Sequence, residues 1–303
     1  MSLAFHIENF GCRAARADGE AVAERLRASG HCEGQPALAD VVVVNTCSVT
    51  AEADREARAY IRRTNRLNPG ARIVVTGCYA QRAPEELASL PAVAAVVGNS
   101  HKALVPEVVE AVADAKRTSG KLDLHTFCNQ GTTLVGPQTP QNQRGLRPLP
   151  PHQPHKGHSP PASRAQVEGA EQQVFNETSQ GFVDLRAVLQ GAATHAAPIF
   201  ADDRFAHSFL EDAQVVPGAQ TRPNLKIQEG CGNRCTFCVI PQTRGGSRSL
   251  PEEKVLAQVR GFIEADGREL VLSGINLGRW GHDLSDGPRK HSLAGLVRRI
   301  FAE

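Results

Sequence analysis

Residues 41–44 are four consecutive valines, and no other stretch constrains the fold of this chain as much. A run that is β-branched and apolar on both faces reads as a strand covered on both sides. Further strand candidates lie at 4–8, 73–76 and 93–97. Helical patterns separate them. Residues 18–29 set Val22 and Leu26 one turn apart before a stop at Gly30. Residues 52–67 carry Ala53, Ala57, Ile61 and Thr64 along one face and end at Asn68-Pro69-Gly70. A helix over 106–116 follows the fourth strand. This alternation predicts an α/β domain with an open, mostly parallel sheet and helices on its faces.

The 303 residues allow two domains, and 41% hydrophobic against 22% charged residues allows packed cores. The first domain is expected over 1–117. Residues 118–199 are expected to be a disordered insertion or linker, because 130–163 is rich in Pro, Gln, Gly and His and offers little to a core. A weak helix is expected at 174–189. The second domain, 200–303, shows a strand at 224–228 and a helix at 251–265, with Pro251 at its start and Val255, Val259, Phe262 and Ile263 facing inward. A strand at 269–272 and a helix at 292–301 complete two βα units. The chain opens with no basic, apolar leader, and no apolar run approaches the ~18 residues of a membrane helix. The expectation is a cytoplasmic protein without a membrane partner. With 34 basic and 32 acidic residues the net charge is +2, which neither demands nor excludes a nucleic-acid partner.

Eight cysteines, Cys12, Cys32, Cys47, Cys78, Cys128, Cys231, Cys235 and Cys238, are spread too widely for a small disulfide scaffold. Three of them form Cys231-Gly-Asn-Arg-Cys235-Thr-Phe-Cys238, a C-x3-C-x2-C loop directly after a strand candidate. Three thiolates on one tight loop can each ligate one iron of a [4Fe–4S] cube and leave the fourth iron open. A zinc knuckle is the alternative, but it would need a nearby fourth Cys or His, and neither His207 nor His282 has that spacing. Gly230 and Gly232 suit a loop whose backbone closely approaches a cluster. Cys12, Cys47 and Cys78 each follow a strand, in Asn9-Phe10-Gly11-Cys12, Asn45-Thr46-Cys47 and Gly77-Cys78-Tyr79-Ala80-Gln81. One at a time, each reads as a small buried hydrophobe. In a parallel sheet all three come to one edge, where such sheets bind ligands, and could converge on a second cube. Cys32 and Cys128 fit neither set.

The 231–238 loop resembles the radical S-adenosylmethionine (SAM) superfamily, with Phe237 in its aromatic position. That resemblance implies that the open iron chelates SAM and that reduction cleaves SAM to a 5′-deoxyadenosyl radical. The stretch Arg244-Gly-Gly-Ser-Arg248-Ser249 resembles the one following the loop in the methylthiotransferase branch; Arg244 or Arg248 could grip a carboxylate or phosphate, or simply be solvated. Leu272-Ser273-Gly274-Ile275-Asn276 resembles the strand-end motif along SAM in that branch, so Phe237, Arg244, Arg248, Gly274 and Asn276 are the candidate cofactor-binding residues. Together with the scattered cysteines, the chain resembles the MiaB-like methylthiotransferases over roughly 3–116 and 200–300. The resemblance implies a flavodoxin-like N-terminal methylthiotransferase domain, then the first βα units of a radical SAM partial (β/α) barrel. It implies two [4Fe–4S] clusters, on Cys12, Cys47 and Cys78 and on Cys231, Cys235 and Cys238, with SAM as methyl and radical source and an electron donor. The sequence identifies no catalytic acid, base or nucleophile.

Residues 45–50 and 75–81 look most like the subfamily that methylthiolates C2 of N6-threonylcarbamoyladenosine beside the anticodon of tRNA (the MtaB type). An isopentenyladenosine-tRNA or ribosomal-protein substrate, or a non-catalytic metal-binding remnant, are the alternatives. Arg55, Arg58, Arg62 and Arg66, with Arg63 beside them, form a stripe that could contact phosphates; a solvated face balanced by Glu52 and Glu56 is the favoured reading. The family barrel has about six βα units against the eight of a full barrel. With two visible here, the expectation is a fragment inactive alone.

Overall fold

The structure, a computed structural model, describes residues 2–117, 197–205, 214–217, 222–284 and 291–302. Its first sheet holds β1 (Ala4–Asn9), β2 (Cys32–Glu33), β3 (Val41–Thr46), β4 (Arg72–Gly77), β5 (Val93–Gly98) and β6 (Ile199–Phe200). The strand order is β2-β1-β3-β4-β5-β6, and every pairing is parallel. The order turns round between β1 and β3, which is the switch point of a flavodoxin-like sheet.

The valine run explains why the sheet is a middle layer. Successive strand side chains point to opposite faces. Val41 and Val43 join Phe5, Val74 and Val97 against α1 (Arg13–Ala28) and α5 (Val105–Arg117). Val42 and Val44 join Ile73, Val75 and Val96 against α2 (Ala51–Leu67), α3 (Cys78–Arg82) and α4 (Pro84–Ala88). All four valines are buried, each contributing about 1.5–3 kcal/mol. Thr50 caps α2 by accepting from Ala53 N at 3.2 Å.

The second sheet has the order β8-β7-β9. The strand β7 (Asn224–Glu229) runs parallel to β9 (Val271–Gly274), and β8 (Arg248–Ser249) lies antiparallel on its other side. Between β7 and β8 lies the short helix α6 (Ile240–Arg244). The crossover helix α7 (Glu252–Glu264) and the later α8 (Leu293–Ala302) pack with Leu225, Ile227 and Trp280. Trp280 is fully buried, with Nε1 donating to Leu250 O at 3.0 Å.

Three expectations change. The first helix starts at Arg13 rather than 18, because Ala14, Ala15 and Ala17 continue its buried stripe toward β1. Ile263 is 60% exposed rather than inward, since it lies at the edge of the buried face, about 100° round the helix from Phe262 and about 80° from Val255. Residues 199–200 join the edge of the first sheet instead of opening the second domain, where Phe200 completes the core under α5. Of the insertion or linker expected at 118–199, residues 118–196 lie outside the described residues, and with them the helix expected at 174–189 and Cys128. No helix among the described residues is long and apolar enough to cross a membrane.

Candidate functional site

The parallel register brings three loop starts to one edge. Asn9 pairs with Asn45, and Thr46 with Gly77. Cys12, Cys47 and Cys78 therefore leave the carboxyl ends of β1, β3 and β4, on both sides of the switch point. Cys12 is exposed, while Cys47 and Cys78 are buried. Gly11 has φ +105°, and a Cβ there would lie 2.7 Å from Cys47 Cβ and 2.9 Å from its Sγ. Only glycine lets these two cysteine loops close together.

Hydrogen bonds fix the loops. Asn45 Nδ2 donates to Ala15 O at 2.6 Å and to Asn9 Oδ1 at 3.0 Å, and Thr46 Oγ1 donates to Thr76 O at 2.5 Å. Beside Cys47, Ser48 accepts from Arg82 Nε at 2.6 Å, and Arg82 also holds Asp54. Gln81 accepts from Ser100 N and donates to Asp202 O, both at 2.9 Å, so the Cys78-to-Gln81 turn is tied to the loops after β5 and β6. Asn99, buried, donates from Nδ2 to Cys78 Sγ at 3.4 Å. Burial pushes the Cys47 thiol up, against donors from Val49 and Ser48; Cys78 and Cys12 push the same way as burial.

The second set occupies the loop after β7. Cys231 N donates to Gly245 O at 3.0 Å, Cys238 N donates to Cys235 O at 3.1 Å, and Asn276 Nδ2 donates to Cys231 Sγ at 3.6 Å. Gly230 has φ +66°, and a Cβ there would lie 2.0 Å from Gly246 O. Gly232 has open space around it, while at Gly230 the loop lies against the backbone of Gly245 and Gly246. Phe237 is 91% exposed between the last two cysteines. Gly274 ends β9 against Gln228, where a Cβ would lie 3.0 Å from Gln228 Cβ, and Gln228 Oε1 accepts from Asn276 N at 2.7 Å.

Among the described residues, no three His, Cys, Asp or Glu side chains close on a single metal ion. A cube does not require that, because each thiolate takes a different iron. The donor set fits such a group: three thiols at each place, and a neutral amide donor on one sulfur of each.

The two arginines face inward. Arg244 is 1% exposed, so the solvated reading does not hold for it. Its Nη1 is occupied by Glu229 at 2.6 Å and Asp18 at 3.1 Å. Arg248 lies over the Phe205 ring at 5.8 Å and donates to Arg244 O at 3.1 Å. Of the α2 stripe, Arg55 pairs with Glu52 on the same helix, while Arg58 meets Glu86 and the Tyr79 hydroxyl on neighbouring helices.

Sequence reasoning missed the buried charges between the two sheets. Lys102 Nζ lies 2.8 Å from both Asp18 and Glu229. Lys226 Nζ lies 2.5 Å from Glu229 and also pairs with Asp18. Burial alone would raise both carboxyls, but Lys102, Lys226 and Arg244 outweigh it and hold Asp18 and Glu229 below their ordinary values of 3.8 and 4.5. Each carboxylate therefore contributes stability that is complete above its ordinary value and is lost as pH falls toward its folded value. Urea midpoints should fall as pH drops below 4.5, and less steeply in Asp18→Asn. An equal acid slope in both proteins would contradict this.

Residues 4–98 match the family described as UPF0004, an uncharacterized protein family. Threonylcarbamoyladenosine tRNA methylthiotransferase MtaB of Bacillus subtilis is 30% identical, over 99% of this chain and 49% of that protein. Ribosomal protein uS12 methylthiotransferase RimO of Desulforudis audaxviator is 27% identical, over 97% and 48%. The tRNA-2-methylthio-N(6)-dimethylallyladenosine synthase of Geobacter metallireducens is 26% identical, over 98% and 50%. The chain spans about half the length of the relatives it matches.

Proposed function

We infer that this chain, a relative of the MiaB-like methylthiotransferases, holds two [4Fe–4S] clusters and serves SAM-dependent methylthiolation of tRNA. One observation carries the reading: three residues link the two cysteine sets. Asn99, on Cys78, donates to Thr243 O at 2.7 Å, and Cys231 N donates to Gly245 O at 3.0 Å. A site that makes a radical and a site that holds sulfur must serve one substrate atom, and this bridge of Thr243, Arg244 and Gly245 keeps them adjacent.

When bound, the clusters and SAM supply one-electron SAM cleavage and the sulfur and methyl to be transferred. The chain's own residues hold and orient. Cys231, Cys235 and Cys238 offer three thiolates from one loop, and Asn276 steadies the first. Gly274 lets the end of β9 pack closely on Gln228, which holds Asn276 N, and the Phe237 ring offers an apolar face at the mouth. Cys47 and Cys78, both buried, and Cys12, exposed, would hold the other cluster. An electron donor must reach the second loop, where Cys235 is exposed.

The finer assignment is C2 of N6-threonylcarbamoyladenosine in the anticodon stem-loop. It is supported by the likeness at Asn45-Thr46-Cys47-Ser48 and Gly77-Cys78-Tyr79-Ala80-Gln81 and by the name of the Bacillus relative. The similar match to the uS12 enzyme favours a ribosomal-protein substrate as the second reading. Deleting the gene and analysing tRNA nucleosides by mass spectrometry separates them. The 2-methylthio form of N6-threonylcarbamoyladenosine should disappear. Loss of methylthio from uS12 instead would move the substrate to the ribosome, loss from N6-dimethylallyladenosine would move it to another tRNA adenosine, and no change in any of the three would contradict the transferase reading.

A further inference from the structure

A guanidinium stands beside the first cysteine site with one edge held and the other open. Arg82 ends α3, one turn after Cys78, and crosses to the residue after Cys47, where its Nε donates to Ser48 Oγ at 2.6 Å. Its Nη2 donates to Asp54, which is buried in the first turn of α2. These two bonds fix the direction of the guanidinium plane. Nη1 has no partner among the described residues, and 40% of the side chain is exposed.

The plane is also backed from behind. Its central carbon lies 5.3 Å from the centre of the Tyr79 ring, and that of Arg58 lies 5.6 Å from the same centre. Tyr79 follows Cys78 and is fully buried, so the ring is a fixed plate under both cations. Arg58 is itself held by the Tyr79 hydroxyl and by Glu86 at 2.9 Å. Asp54 and Glu86 balance the two arginines, so the place offers directed N–H donors rather than surplus charge. The free edge of such a plane matches the two oxygens of a carboxylate. Val49, one residue after Ser48, is 66% exposed and adds an apolar side chain at the same loop.

We propose that Arg82 grips the threonyl carboxylate of N6-threonylcarbamoyladenosine and so selects which adenosine reaches the Cys12, Cys47 and Cys78 site. This rests on the reading that this nucleoside is the substrate. Ser48 and Asp54 hold the guanidinium before any ligand arrives, so little side-chain freedom is lost on binding. The dimethylallyl group in the name of the Geobacter relative carries no charge and no acceptor. Covering the free edge with such a group leaves its N–H donors unpaired, which is how a polar site rejects an apolar analogue.

Three synthetic anticodon stem-loops test the proposal: one with N6-threonylcarbamoyladenosine, one with its methyl ester, and one with plain adenosine. Fluorescence anisotropy measures the affinity of the 303-residue chain for each, with Arg82 intact, in Arg82→Gln and in Arg82→Lys. The parent should bind the acid about tenfold more tightly than the ester, the contribution of one hydrogen bond to a charged group. Arg82→Gln should bring that ratio close to one and leave the affinity for plain adenosine unchanged, which a purely structural loss would not do. If Arg82→Gln does not fold, Arg82→Lys decides: it keeps a cation for Asp54, but its ratio should still fall at least threefold. A parent that does not distinguish acid from ester, or folded variants that keep the parent's ratio, overturns the proposal. Equal weakening of all three stem-loops makes Arg82 a phosphate contact and overturns it too. The substrate reading is decided separately, by the nucleosides of the deletion strain. Disappearance of the 2-methylthio form there, with no acid–ester difference here, keeps the substrate and removes Arg82 from its recognition.

Discussion

Replacing Glu229 with alanine should lower the unfolding free energy of the metal-free chain by about 3–5 kcal/mol, the loss typical of breaking a buried ion pair from one side. Glu229 is fully buried and receives Lys226 at 2.5 Å, Arg244 at 2.6 Å and Lys102 at 2.8 Å. Without it, the buried cations of Lys102 and Arg244 keep Asp18 as their carboxylate. The uncompensated charge, rather than the loss of attraction, sets the cost. Urea denaturation followed by far-UV circular dichroism measures it. Glu52→Ala is the control, because the Glu52–Arg55 pair is exposed and such pairs contribute about 1 kcal/mol at most. A Glu229→Ala chain within about 1 kcal/mol of its parent would show that water reaches the group.

Replacing Cys231, Cys235 and Cys238 together by alanine should abolish dithionite-dependent formation of 5′-deoxyadenosine from SAM and remove one cluster's share of the visible absorbance. Only a cube with a vacant iron can chelate SAM, and this loop alone supplies three thiolates from contiguous sequence. The matching replacement of Cys12, Cys47 and Cys78 should remove a similar share of absorbance and leave SAM cleavage in place. Undiminished 5′-deoxyadenosine from the first variant would take SAM chemistry away from the 231–238 loop.

The placement of the cysteines was legible because it depends on local pattern. A strand followed by a cysteine, three times over in a parallel sheet, fixes the edge without any knowledge of side-chain packing. The valine run showed that β3 is covered on both sides, and its register then carried Cys47 to the switch point. Arg244 was harder. It sits in a stretch that resembles a ligand-binding motif, but the residue that consumes its Nη1 from the first domain, Asp18, lies 226 positions away. Lys102 was invisible for the same reason: its partners are 84 and 127 residues distant. A weak signal did exist in β7. Leu225 and Ile227 alternate with Lys226 and Gln228, which reads as one dry and one wet face, yet all six residues of the strand are buried. Helix α1 covers the polar face, bringing Asp18 to Lys226 and Glu20 to Asn224. Polar residues on a strand can thus mark a second buried interface as readily as solvent.

Two cubes on this one chain are the claim from which the other functional statements follow. Anaerobic reconstitution with iron and sulfide, followed by counting both per chain, tests it most directly. Two four-iron cubes predict about eight irons and about eight sulfides, with loss of about half in either triple-cysteine variant. Zinc bound without sulfide, or iron that both triple variants retain in full, would contradict it.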